Sequence, residues 1–151
     1  MSEFKIAGLA GEEAGEGIPV VLLHGLTATR RYVVMGSKNL ERSGHRVVMY
    51  DARGHGRSDP AADGYGYDRL AADLLAVLDD RGIDRAVLAG ASMGAQTLVR
   101  LALEHRGRAA ALVLITPAFD PEAAERDLDR WDALSQGLRS GGVAGMRAVS
   151  S

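Results

Sequence analysis

The stretch Arg85-Ala86-Val87-Leu88-Ala89-Gly90-Ala91-Ser92-Met93-Gly94-Ala95-Gln96 constrains this chain more than any other. A short apolar run ends in Gly90-Ala91-Ser92-Met93-Gly94, and a helical pattern begins at once. This is G-x-S-x-G in a strand–turn–helix context. A strand that turns sharply into a helix leaves its corner residue in a strained backbone conformation. Small residues two before and two after the corner let neighbouring backbone pass close, and here those are Gly90 and Gly94. The Ser92 hydroxyl then stands clear of the sheet at a helix N-terminus. The helix dipole and free N–H groups there favour developing negative charge. The plainer reading is an N-cap serine between two packing glycines.

The other segments fit around this corner. Phe4 to Leu9 alternates loosely and reads as a first strand; Gly8, Gly11, Gly15 and Gly17 punctuate a hairpin region with poorly marked limits. Pro19-Val20-Val21-Leu22-Leu23 is continuously apolar, as in a strand buried on both faces, and ends in His24-Gly25-Leu26-Thr27. Arg30 to Arg42 carries a helical pattern through Tyr32, Val33, Met35 and Leu40, closed by Gly44. Arg46 to Asp51 is another buried strand, followed by the loop Ala52 to Pro60. Leu70, Leu74, Val77 and Leu78 mark one face of a helix that stops at Gly82. A helix runs from Met93 to His105, and Ala110 to Ile115 is one more apolar strand. Asp120-Pro121 reads as N-cap and first residue of a further helix, with Leu128, Trp131, Leu134 and Leu138 along one side and a break at Gly141-Gly142. Strands alternating with helices, several of them apolar throughout, predict a mainly parallel α/β sheet covered by helices on both faces. Ligands on such sheets bind at the carboxyl ends of the strands. His24 to Thr27, Asp51 to Ser58 and Ser92 all fall at such ends.

Composition narrows the class. A chain of 151 residues suggests one domain by length and can bury a real core. Its 46% hydrophobic and 25% charged residues are those of an ordinary soluble globular protein. A net charge of −2 gives no reason to expect nucleic acid or an anionic membrane as partner. Without cysteine there is no disulfide, thiolate metal site or cysteine nucleophile, and no metal is expected. Met1 to Lys5 lacks the build of a signal peptide, and no apolar run approaches the length of a membrane span, so the expectation is a cytoplasmic protein.

Taken together, Val20-Val21-Leu22-Leu23-His24-Gly25, Tyr50-Asp51-Ala52-Arg53-Gly54-His55-Gly56-Arg57-Ser58 and Gly90-Ala91-Ser92-Met93-Gly94 resemble the α/β-hydrolase superfamily in residues, order and spacing. The resemblance is to its small cofactor-free serine esterases and related carbon–carbon bond hydrolases. It implies Ser92 as nucleophile and an oxyanion hole from the backbone N–H groups of Leu26 and Met93. It places His24 and Gly25 beside the substrate pocket, and implies a small-molecule ester or acyl substrate. Serine at this corner separates the chain from the superfamily's haloalkane dehalogenases and epoxide hydrolases, whose nucleophile is Asp. No G-x-G-x-x-G or phosphate loop is present, in keeping with a cofactor-free reading. Acyltransferase or carbon–carbon bond chemistry at the same site is the enzymic alternative. A non-catalytic binding module is the alternative from another class.

The resemblance also marks a departure. The superfamily's order is nucleophile, acid, histidine, and the strands that carry the last two have no counterpart here. The expectation is an N-terminal portion of the fold: residues 1–117 as the core, 118–151 as the start of an unfinished helical lid. The four histidines offer few replacements. His105 lies thirteen positions beyond Ser92 on one helix, roughly 20 Å at 1.5 Å per residue. His45 starts a strand at the end away from the site. His24 and His55 fit a structural role better than that of a base. Asp51 is expected to tie down the Arg53–Ser58 loop, and Asp120 to cap a helix, although some lipases in the superfamily carry their acid there. Arg30 and Arg31 read either as a lure for an anionic substrate or as a solvated charged pair. Leu128 and Trp131 read either as pocket wall or as helix packing. The last strand would leave an open, apolar edge, which invites self-association.

Overall fold

The computed structural model describes residues 1–117 and 124–150. These fall into two compact units, Met1–Ala118 and Phe119–Ser151. In the first unit, six strands form one sheet in the order β1-β2-β4-β3-β5-β6. Their ranges are β1 (Ser2–Ile6), β2 (Leu9–Ala14), β3 (Ile18–Leu23), β4 (His45–Tyr50), β5 (Ala86–Ala91) and β6 (Ala109–Ile115). β3, β4, β5 and β6 pair in parallel, whereas β1, β2 and β4 pair antiparallel. The fold class expected from the alternating pattern is therefore the one observed.

The first strand is shorter than the expected Phe4–Leu9. Ile6 pairs with Leu9 across a two-residue turn at Ala7 and Gly8, both at positive φ (47° and 83°). Two positive φ values are the signature of the hairpin turn whose twist matches that of the strands.

β3, β4 and β5 bury both faces because alternate side chains point opposite ways. Val21, Leu23, Val48, Tyr50 and Leu88 face a cluster completed by Leu74, Val77 and Leu78 of α2 (Tyr67–Asp80) and by Leu98 and Leu101 of α3 (Met93–Glu104). α2 ends as its sequence dictates. Gly82 takes φ 62°, its N–H reaches the Asp79 carbonyl, and Ile83 N–H reaches the Leu78 carbonyl, which satisfies the last turn. Val20, Leu22, Val47, Met49 and Ala89 point the other way, against Val33, Val34 and Leu40.

That second face corrects one expectation. No helix spans Arg30 to Arg42. A single 3-10 turn covers Arg30–Tyr32, a one-turn helix α1 covers Asn39–Arg42, and the chain between them reverses at Met35 (φ 50°) and Gly36 (φ 76°). The apolar residues that suggested a helix do pack on the sheet, but from an irregular segment. Its start is held by contacts with β2 and β4 rather than by an i to i+4 ladder, as described below.

In the second unit, α4 (Ala124–Ser150) leaves helical geometry at Gly141 (φ −139°) and Gly142 (φ 58°), where the sequence places its break. The two arms approach so closely that a Cβ on Gly145 would stand 2.1 Å from the Gly137 carbonyl oxygen. Asp120 and Pro121 lie outside the described residues, as do the side chains of Leu128 and Trp131.

Candidate active site

Ser92 occupies the corner between β5 and α3 with φ 48° and ψ −109°. That is strained backbone for any residue with a Cβ. Two hydrogen bonds hold it there: Ser92 N–H donates to the Ile115 carbonyl at 2.9 Å, and the Ser92 carbonyl accepts from Gln96 N–H at 3.0 Å. The flanking glycines are required by close approach. A Cβ on Gly90 would lie 2.5 Å from the Gly94 carbonyl carbon, and one on Gly94 would lie 2.5 Å from the Leu23 carbonyl oxygen. Met93 opens α3, so its N–H belongs to the first turn, where helix geometry offers no intrahelical acceptor.

The turn after β3 comes up against this corner. A Cβ on Gly25 would stand 3.5 Å from both the Ala91 carbonyl oxygen and Ser92 Cβ. His24 is buried beside it. Its Nδ1–H donates to the Gly25 carbonyl at 2.8 Å, and its Nε2 accepts from Ala52 N–H at 2.9 Å. A backbone N–H can only donate, so Nε2 carries no proton and the ring is the neutral Nδ1–H tautomer. Burial pushes the His24 pKa below its ordinary value, against the opposing pull of the Gly25 carbonyl. With both nitrogens engaged, His24 has no lone pair to offer Ser92.

His55 has a backbone carbonyl oxygen beside each of its ring nitrogens. Its ring lies 5.0 Å from that of His24, with Nδ1 2.9 Å from the Arg53 carbonyl oxygen and Nε2 2.8 Å from the Leu26 carbonyl oxygen. His45 bonds the Leu40 carbonyl at the start of β4, and His105 ends α3. His24, His45 and His55 thus each hold backbone groups of the fold.

Asp51, buried directly after β4, does fasten the loop that follows. Its carboxylate accepts from Arg57 N–H at 3.0 Å, from Arg30 N–H at 2.8 Å and from the Arg30 guanidinium. Gly56 is pressed so tightly on it that a Cβ would meet the carboxylate at 2.3 Å. Ser58 Oγ donates to the Asp51 carbonyl and accepts from Ala10 N–H, joining the loop to β2. Arg53 is held by a two-point contact with Asp73 at 2.7 and 2.8 Å.

Neither reading of Arg30 and Arg31 holds in full. Arg30 is buried between Asp51 and Glu12, and its Nε, 3.6 Å from Glu12 Oε2, is an ion-pair member without a hydrogen bond among the described residues. Arg31 forks onto buried Glu12 at 2.8 Å on both oxygens and holds that carboxyl below its ordinary pKa. These cations are consumed by the fold. Sequence reasoning did not foresee Glu12 as their partner, because strands β1 and β2 were poorly bounded. It also missed Thr116, which follows β6 with φ 44°, an outlier for a β-branched residue, one position after the carbonyl that holds Ser92. No local pattern in Ile115-Thr116-Pro117 marks that conformation. Among the described residues, no group of His, Asp or Glu side chains could hold a metal ion, and no helix is long and apolar enough to cross a membrane.

A parallel sheet with three polar segments meeting at its carboxyl ends, around a strained serine, defines an α/β protein with its site on the strand ends. Within that class the chain belongs to the α/β-hydrolase fold family, whose model matches residues 18–144. It is 32% identical over 115 residues to the AB hydrolase superfamily protein YisY of Bacillus subtilis, covering 76% of this chain and 43% of that protein. It is 37% identical over 108 residues to a putative non-heme haloperoxidase of Mycobacterium phage D29, covering 72% and 39%. Among solved structures, a thermophilic esterase from Thermogutta terrifontis superposes with a TM-score of 0.78 at 28% identity, covering 94% of this chain and 55% of that one. Other relatives are named as a lipase and an epoxide hydrolase. The chain spans about two fifths of the length of the first two of these curated relatives.

Proposed function

We propose that this chain carries the nucleophile and oxyanion half of a serine hydrolase acting on an ester or related acyl bond. In this reading Ser92 Oγ attacks the carbonyl carbon of the substrate and gives up its proton to a base. The N–H groups of Leu26 and Met93 receive the negative charge on the carbonyl oxygen. The alcohol leaves with a proton, and water then releases the acid from the acyl-enzyme. The observation that carries the reading is the Ser92 corner: a serine at φ 48°, opening a helix, with the Gly25 turn packed against its Cβ. Relatives named as esterase and lipase support an acyl substrate.

The engaged rings of His24 and His55 leave the base to be supplied by residues beyond these 151, in the same chain or another. We propose residues 118–151 as the start of the segment that covers the site. A serine without its base retains only a small residue of rate, from binding and the oxyanion hole. The test pairs a fluorophosphonate probe with an activated short-chain ester. Ser92 is expected to be the labelled residue by mass spectrometry, and Ser92→Ala to lose labelling and hydrolysis with an unchanged circular dichroism spectrum. The 151 residues alone are expected to turn over ester poorly, and a longer chain well. Hydrolysis that survives Ser92→Ala would overturn the reading.

A further inference from the structure

Two imidazoles grip the turn that carries Leu26, from opposite sides of its α-carbon. His24 Nδ1–H holds the Gly25 carbonyl, and His55 Nε2 meets the Leu26 carbonyl at 2.8 Å. The Gly25 carbonyl and the Leu26 N–H share one planar trans peptide and point in opposite directions. Fixing that oxygen therefore aims that N–H. The Leu26 carbonyl belongs to the next peptide, so holding it removes the remaining rotation at Leu26. His24 is part of the turn itself. His55 reaches it from the loop after β4, which Asp51, Gly56 and Ser58 hold to the sheet.

We infer that His55 is a positioning residue for the Leu26 N–H, its Nε2–H donating to the Leu26 carbonyl so that the turn stays aimed at the space above Ser92. This rests on the proposed role of Leu26. A donor stabilises a developing oxyanion only if it is oriented before the charge forms. A carbonyl oxygen only accepts, so the contact requires the proton to be on Nε2. The sequence loop Arg53-Gly54-His55-Gly56 thereby does more than pack. It braces a turn reached only after the chain folds back to β3.

The experiment uses the isotope-labelled 151-residue chain. Imidazole nitrogen spectra are expected to show a proton on His55 Nε2, with a coupling across the hydrogen bond to the Leu26 carbonyl carbon. The Ala28 amide, which donates to the Gly25 carbonyl, reports on the turn. In His55→Ala its hydrogen exchange should speed up by about tenfold, and in a longer chain that turns over ester the fluorophosphonate labelling of Ser92 should slow by about tenfold. His55→Gln, which keeps a donor, should recover most of both. An unprotonated Nε2 in the native chain overturns the inference. So does an unchanged Ala28 exchange in His55→Ala, or an equal loss in His55→Gln. If the 151-residue chain shows the coupling but Ser92 takes no probe in a longer chain that turns over ester, the brace stands and the serine reading fails.

Discussion

Arg30 gives both its backbone N–H and its guanidinium to the carboxylate of Asp51, so one buried ion pair joins the start of the irregular 30–42 segment to the carboxyl end of β4. Removing one partner of a buried pair leaves the other charge stranded, at a cost of about 3–5 kcal/mol. Asp51→Ala should therefore lower the stability in urea by about that amount. The double variant Arg30→Met with Asp51→Leu should cost less than either single change, because no charge is left behind. Additive losses in that cycle would show that the pair does not act as a unit.

Stability should fall in two stages on acidification. His24 is held below its ordinary value of 6.5, so below that pH the unfolded chain binds a proton that the folded chain refuses. Its contribution is complete above 6.5 and is lost as the pH falls toward the lower folded value. Glu12 is held below its ordinary value of 4.5 by the Arg31 hydrogen bonds, so its contribution is lost further down, through the lower folded value. Urea midpoints measured from neutral to acid pH should show both stages. His24→Asn should flatten the first and Glu12→Gln the second.

The Ser92 backbone stores strain that a glycine would not feel. At φ 48° and ψ −109° such residues cost about 1–3 kcal/mol. Ser92→Gly should raise the unfolding free energy by about 1 kcal/mol once the greater chain entropy of glycine is subtracted. A decrease would mean that the corner is not strained by its side chain.

We propose that β6 is a self-association edge. It is the last strand of the sheet among the described residues, and Leu112, Val113, Leu114 and Ile115 are all 38–46% exposed. An apolar edge is a template for a further strand. Sedimentation of the 151-residue chain should show concentration-dependent association that Val113→Lys reduces. A strictly monomeric native chain at high concentration would remove β6 from consideration.

Several features of this fold were legible in the chain because they are local. Gly90 and Gly94 announce the corner, since each lies two residues from the strain it permits and any side chain there would strike backbone. The apolar runs of β3, β4 and β5 announce buried parallel strands, since residues 20–23, 47–50 and 88–90 are all covered on both faces. Gly82 announces the end of α2, since only a positive φ closes that last turn without cost. The segment from Arg30 to Arg42 shows where such reading stops. Its helical spacing is real, yet Asp51 and Glu12, both distant in sequence, claim Arg30 and Arg31. Long-range ion pairs then outweigh a weak local propensity. The histidines depend still more on tertiary structure. Nothing within a few residues of His24 or His55 says that Ala52 N–H or the Leu26 carbonyl will face the ring. Sequence alone determined which backbone could turn, break or bury. Only the folded chain decided which polar groups meet, because hydrogen-bond partners are chosen by distances that close after the strands align.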